Sequence, residues 1–164
     1  MASWIDDLSA LLAEEPAFAG LALRPAAVTD THRIYALHRD ALRAYVDATW
    51  GWDEDWQRAH FASHYLPSAN ARIVDATAPA GLRGRVSLSR HWRHLFLRDI
   101  ELEASMRNRG VGTAILRSVL ALARREQRAV ELLVLDCNPA RELYERLGFV
   151  AVSGDGARTR MRAA

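Results

Sequence analysis

Three acidic residues alternate along the segment Leu97-Arg98-Asp99-Ile100-Glu101-Leu102-Glu103, and a glycine-bearing turn, Arg107-Asn108-Arg109-Gly110-Val111-Gly112-Thr113, follows directly. Each pattern implies a chemistry. If the segment is a strand, successive side chains point to opposite faces, so Asp99, Glu101 and Glu103 lie away from Ile100 and Leu102. With the apolar pair facing the core, the carboxylates face outward. There they either take a proton or pair with Arg85 or Arg98, and both readings stay open. The turn has the makings of an anion seat. Glycine lets the backbone approach a ligand, the first N–H groups of a helix have no intrahelical partner, and the helix dipole favours negative charge at that end. Arg107 and Arg109 would add charge-assisted donors. A dinucleotide fingerprint would need a third glycine at position 115, which is Ile, and a phosphate loop would need a lysine, of which the chain has none. A plain structural turn is the other reading.

Further along stands Asn138-Pro139-Ala140-Arg141-Glu142-Leu143-Tyr144-Glu145-Arg146-Leu147-Gly148-Phe149. Ala140, Leu143, Tyr144 and Leu147 fall on one helical face, which makes Tyr144 either a core aromatic or a phenol aimed at a ligand. Upstream, Tyr45 to Gln57 gathers Tyr45, Trp50, Trp52 and Trp56 with Asp53, Glu54 and Asp55. Aromatics with acids suit an ammonium group or an aromatic amine. Equally, Trp50 and Trp52 could plug a corner between helices while the acids favour a helix N-terminus. The pairs His60/His64 and His91/His94 have metal-like spacing but no third ligand nearby, so no metal is expected. Cys137 reads as a packing residue at the end of a buried strand, with no base beside it in sequence.

The elements that must position these groups make a mixed α/β domain. Trp4, Ile5, Leu8, Leu11 and Leu12 recur at helical spacing and predict an amphipathic helix within residues 1–20, either docked on the domain or offering a contact for a homodimer. Residues 21–164 form the domain proper. A strand over 21–24 ends at Pro25, and Thr29 or Asp30 caps a helix whose apolar face runs from Ile34 to Val46. Trp50-Gly51-Trp52 breaks it, and Asp53 caps another helix to about residue 64. Strands are predicted over 71–75, 83–89 and 95–103, the last two antiparallel through a turn near 91–93. A helix over 110–125, a buried strand over 130–135, a short helix opened by Asn138-Pro139 and stopped by Gly148, and strands over 149–152 and 157–161 complete the chain. The expected product is one central mixed sheet of about six to seven strands flanked by helices.

Arg107-x-x-Gly110-x-Gly112 resembles the Q/R-x-x-G-x-G/A signature of GNAT N-acetyltransferases. Asn138, Tyr144, Gly148 and Phe149 resemble that family's N-x-x-A-x-x-x-Y-x-x-x-G-F element, although Ala140 sits one place nearer the Asn. The resemblance spans roughly residues 21–162, and the Pro and aromatic common before the signature are replaced by Ala104-Ser105-Met106. Tyr45-Val46 through Trp50-Gly51-Trp52-Asp53-Glu54 is similar to a segment of one branch of the family. The resemblance implies a GNAT fold and transfer of acetyl from acetyl-CoA, as cosubstrate, to a small-molecule or peptide amine, without a metal. It assigns the pyrophosphate to the amides of Arg109, Gly110, Val111, Gly112 and Thr113 with Arg107, and the pantetheine arm to the backbone of Ile100 and Leu102. Asn138 and Arg141 are expected on the cofactor too. Tyr144 is the implied general acid, and Glu101, with Asp99 second, the implied base. Tyr45, Trp50, Trp52 and Glu54 are expected on the acceptor wall.

Composition narrows the alternatives. Of 164 residues 50% are hydrophobic and 26% charged, which suits one globular core. The net charge is +2 although the isoelectric point is near 9.1. All 22 basic residues are Arg, which does not titrate below about pH 12. Acids are spread among them, which argues against a nucleic-acid partner. No apolar run approaches the roughly 20 residues of a membrane span, and Asp6 and Asp7 interrupt the N-terminus where a signal peptide would be apolar. A lone cysteine cannot form an internal disulfide, so a cytoplasmic setting is expected. A non-catalytic acyl-CoA sensor on the same fold is the alternative to an enzyme.

Overall fold

Trp4, Ile5, Leu8 and Leu12 line one stripe of α1 (Trp4–Leu12), and in the computed structural model, which describes residues 3–164, that stripe is buried. Met1 and Ala2, the start of the expected N-terminal segment, lie outside the described residues. Ser3 caps α1 through its side chain. The helix packs on α4 (Val111–Arg125) over one face of the sheet, so it is part of the main core.

The remaining elements are β1 (Leu21–Pro25), α2 (Thr31–Trp50), α3 (Glu54–His64), β2 (Asn70–Asp75), β3 (Gly84–Arg90), β4 (His94–Leu102), β5 (Ala129–Leu135), α5 (Ala140–Arg146), β6 (Val150–Gly154) and β7 (Arg158–Ala163). The strands form a seven-stranded sheet in the order β1-β2-β3-β4-β5-β7-β6. Every pairing is antiparallel except β4 with β5, which α4 connects. A parallel neighbour needs such a crossover. Asp53 caps α3 as its sequence suggests, accepting the Trp56 N–H at 2.9 Å. Pro139 stands one position earlier than expected, at the start of α5, and Cys137 is exposed in the turn after β5 instead of packed at its end.

Two irregularities in the middle of the sheet shape the molecule. Between β3 and β4, Ser87 pairs with Asp99 but Leu88 pairs with Leu97, so Arg98 is an extra residue without a partner. Such a bulge bends the strand and increases its twist. It also changes parity. Leu95 and Leu97 face the α4 core, and after the bulge Ile100 and Leu102 pack on that same core. Asp99 and Glu101 therefore share the opposite face with Arg85 and Ser87. The second irregularity follows. β4 pairs with β5 only over His94–Leu97 with Ala129–Leu132. β5 continues along β7 to Leu135 while β4 turns away, and the two strands part like a wedge.

Gly84 keeps β3 close to β4. A Cβ there would lie 2.6 Å from the Glu101 carbonyl oxygen and 2.9 Å from Leu102 Cδ2. Gly84→Ala is expected to destabilise the fold by about 1–3 kcal/mol, the usual cost of overpacking. A lowered urea midpoint at unchanged m-value checks this.

Candidate active site

The wedge between β4 and β5 is a cavity of about 310 Å³. Its β4 wall runs from Arg98 to Leu102, and Tyr45 of α2 and Tyr144 of α5 close it. Beyond Leu97 the cleft edge of β4 has no strand partner, so its N–H and C=O groups face the opening.

At one end of the wedge is the start of α4. Asn108 (φ 58°) and Gly110 (φ 79°) both adopt the left-handed conformation, which glycine reaches without strain. The first helical bond runs from the Ala114 N–H to the Gly110 carbonyl at 2.9 Å. The N–H groups of Val111, Gly112 and Thr113 precede it, and no side chain of Gly110's position caps them. Val111 buries its side chain in the core, so only its amide faces this site. Gly112 lines the wedge, and a Cβ there would meet nothing nearer than Leu102 Cδ1 at 3.9 Å. Protein packing does not demand glycine at 112; the open cleft in front of it is what a side chain would fill. Uncapped donors, a helix dipole and an unobstructed approach fit a diphosphate.

The two signature arginines differ. Arg107 donates from Nε to the Leu102 carbonyl at 2.9 Å and from Nη2 to Asp40 at 2.8 Å, bracing the wedge between β4 and α2. It therefore already occupies the Leu102 carbonyl. Arg109 makes no ion pair among the described residues and donates to the Ser105 carbonyl at 3.5 Å and to the Met106 sulfur at 3.9 Å. Asn138 lines the wedge but uses its Oδ1 to accept the Ala140 N–H at 2.9 Å, capping α5. Arg141 does not reach the wedge: it pairs with Glu145 at 3.1 Å and Asp136 at 3.5 Å.

At the other end lies a buried ionic cluster. The face opposite the α4 core is covered by α2 and α3, so its acids are not surface decoration. Arg85 and Glu101 are each 3% exposed and directly opposed in the β3–β4 register. Arg85 donates from Nε to Glu101 Oε2 at 2.6 Å, from Nη2 to Glu101 Oε1 at 3.1 Å and to Asp99 at 3.0 Å, and from Nη1 to Asn70 at 2.8 Å. Burial favours loss of the Arg85 proton, but the Glu101 and Asp99 charges outweigh it and hold the guanidinium charged. Burial alone would raise Glu101; the charges of Arg85 and His38 and their hydrogen bonds bring it down to about 2. His38 Nδ1 lies 2.6 Å from Glu101 Oε1. A carboxylate that low carries no proton, so the imidazole donates. Asp99 differs: desolvation dominates and raises it, and the Arg85 charge only partly offsets this. Asp99 also faces two cavities, the wedge and a second one of about 190 Å³ beneath α3. Tyr144 packs against Phe149, with centroids 5.8 Å apart, and its phenol is pushed up to about 12 by burial and by the Asp99 charge.

The expected acceptor residues divide. Tyr45 lines the wedge. Trp50 is 57% exposed and lines an outer groove, with the Arg158 guanidinium 5.5 Å from its ring centre. Trp52 and Glu54 are used by the scaffold. Glu54 accepts from Tyr35 at 2.9 Å and from Trp52 Nε1 at 2.8 Å, and pairs with Arg39 and Arg58, which pins α3 to α2. His60 stacks on Trp56 and lies against His64, and His91 stacks on His94. Among the described residues, His38, Asp99 and Glu101 are the one trio of metal-type ligands within reach of each other, and the Arg85 guanidinium bonds both carboxylates. The sequence reading missed His38, Asn70 and Ser87. His38 had a signal: it interrupts the apolar stripe of α2 between Leu37 and Ala41.

Residues 31–149 match the Acetyltransferase (GNAT) family. Among solved structures the chain resembles the PaiA N-acetyltransferase of Thermoplasma acidophilum, solved in complex with coenzyme A, at 14% identity over 87% of this chain and 97% of that one, with a TM-score of 0.68. A GCN5-related N-acetyltransferase from Kribbella flavida aligns at 21% identity over 88% and 97%, TM-score 0.63. Ard1 from Thermoplasma volcanium aligns at 18% identity over 88% and 97%, TM-score 0.58. No curated protein matches the chain by sequence.

Proposed function

The chain belongs to the GNAT acetyltransferase family, and on that premise we propose that it carries an acetyl group from acetyl-CoA to a primary amine by direct transfer in a ternary complex. One observation carries the reading. The splayed wedge has uncapped helix amides at one end and, at the other, a carboxylate wall shared with a second cavity. Two substrates can thus meet across Asp99. Acetyl-CoA would supply an activated thioester; the amides of Gly110 to Thr113, with Arg109, would hold its diphosphate, and the free edge of β4 its arm.

An alkyl amine has a pKa near 10 and arrives protonated. Asp99 takes its proton, because its carboxyl is raised toward the working range and it faces both cavities. Glu101, tied to Arg85 and His38, orients the cluster instead of acting as base. A β4 amide on the unpaired edge is the donor available to an oxyanion. Tyr144 protonates the departing sulfur. The Asp99 charge raises Tyr144, so when Asp99 accepts the amine proton that restraint is removed and Tyr144 becomes a better acid. A cytoplasmic setting belongs to the same proposal, supported by the single cysteine.

Acetyl-CoA consumption over an amine panel tests the reaction, and calorimetry with coenzyme A tests the seat. Tyr144→Phe is expected to lower kcat about 10²-fold or more while the affinity for coenzyme A stays nearly intact. Full turnover in that variant, or no saturation by millimolar coenzyme A in the parent protein, contradicts the reading.

A further inference from the structure

The second cavity lies between α3 and the β3–β4 face, and Asp99 and Arg98 belong to its wall and to the wedge alike. Three features of it bear on the acceptor. First, Asp99 is the one carboxylate in its lining, whereas Arg85, Arg98, His38, His60 and His64 also face it. A molecule with one ammonium finds its counterion at Asp99; a second ammonium would find basic groups, in a setting that solvates charge poorly. Second, the α3 side is aromatic. Phe61 and Tyr65 stack with centroids 5.5 Å apart, and Phe61 meets Tyr35 edge to face at 5.4 Å. These surfaces suit a flat apolar body. Third, the Ser87 hydroxyl is buried without a hydrogen-bond partner among the described residues. Ser87 sits directly across from Asp99 in the strand register, and both line the cavity. Buried hydroxyls are normally satisfied. The missing partner stands where an amine bound at Asp99 would present a second N–H.

We propose that the acceptor is a small aromatic monoamine, its nitrogen held between Asp99 and Ser87 and its ring against Phe61 and Tyr65. The way in runs along the outer groove, which shares His38, Gln57 and His60 with this cavity and carries the 56% exposed Trp56 on its lip. The aromatic acceptor surface expected near Trp52 and Glu54 is thereby moved under α3. Ser87 is a positioning residue: it accepts one N–H of the ammonium while Asp99 removes another proton, and the lone pair this frees points to Asp99, on the wall shared with the wedge. The inference rests on the reading of Asp99 as the base.

Binding and turnover are measured separately so that the two readings fail separately. Calorimetry on the full chain loaded with coenzyme A uses 2-phenylethylamine, spermidine, an aminoglycoside and a tripeptide with a free N-terminus. The aromatic monoamine is expected to bind at least about a hundredfold more tightly than the polyamines, the scale of leaving an ammonium unpaired in a buried site. Phe61→Leu should weaken 2-phenylethylamine about tenfold and leave spermidine unchanged; an equal loss for both assigns Phe61 to the scaffold and counts against the inference. Ser87→Ala should raise the KM for 2-phenylethylamine while the melting temperature holds, because its hydroxyl has no hydrogen-bond partner among the described residues. Preference for a polyamine, aminoglycoside or peptide overturns the acceptor class and leaves acetyl transfer standing. Tight binding of the aromatic amine with no acetylation does the reverse.

Discussion

Asp99→Asn is expected to lower kcat by about 10²–10⁴-fold, the range for loss of a positioned base, with the affinity for coenzyme A preserved. Asn keeps the shape and a hydrogen bond to Arg85 but cannot take a proton. Glu101→Gln supplies the contrast, since Glu101 is bonded by Arg85 and His38 and held down to about 2. Its variant should lose far less kcat than Asp99→Asn. The reverse ranking would return the base to Glu101. A base must be deprotonated to act. Because burial raises Asp99, kcat/KM should rise with pH on an acid limb lying above the ordinary Asp range, and Asp99→Asn should abolish that limb. Steady-state rates from pH 5 to 9 check both statements.

The second large effect is on stability. Arg85→Met should cost about 3–5 kcal/mol, because it leaves Glu101 and Asp99 buried side by side without their counterion. For a chain of this size that is roughly a 10 °C fall in melting temperature. The double variant Arg85→Met/Glu101→Leu should recover much of the loss, since replacing a buried pair by apolar groups is far less costly than breaking it. If the double variant is no better than the single one, the cluster's contribution lies elsewhere. The acid dependence has a defined sign. Glu101 falls from 4.5 to about 2 on folding, so its contribution is fully present above the unfolded value and is lost as pH drops toward 2. Asp99 moves the other way; since the Arg85 charge is what chiefly lowers Glu101, Arg85→Met should flatten the acid limb of stability that Glu101 provides.

Much of this protein is legible in its residues. Apolar spacing marks the helices and strands because a helix repeats every 3.6 residues and a strand every two, whatever lies opposite. Thus α3 ends at His64 and α2 breaks at Gly51 as their sequence indicates. The turn at Gly110 is readable for the same local reason: a left-handed glycine followed by uncapped helix amides is made by consecutive residues. Periodicity also places Asp99 and Glu101 on one face.

What local pattern does not carry is the partner across a gap. Arg85 opposes Glu101, and Ser87 opposes Asp99, only because of a register set between two strands and shifted by the bulge at Arg98. That register gives Glu101 two bonds from Arg85 and one from His38, and leaves Asp99, with one bond from Arg85, on a wall between two cavities, which is why we propose Asp99 over the more central Glu101 as the base. Glu54 and Trp52 were drawn into the α2–α3 corner in the same way, by Tyr35 and Arg39 arriving from another helix. Charge, burial and pKa at a site are sums over neighbours in space, so the sequence determines which groups are present and tertiary structure decides which of them remain free to act.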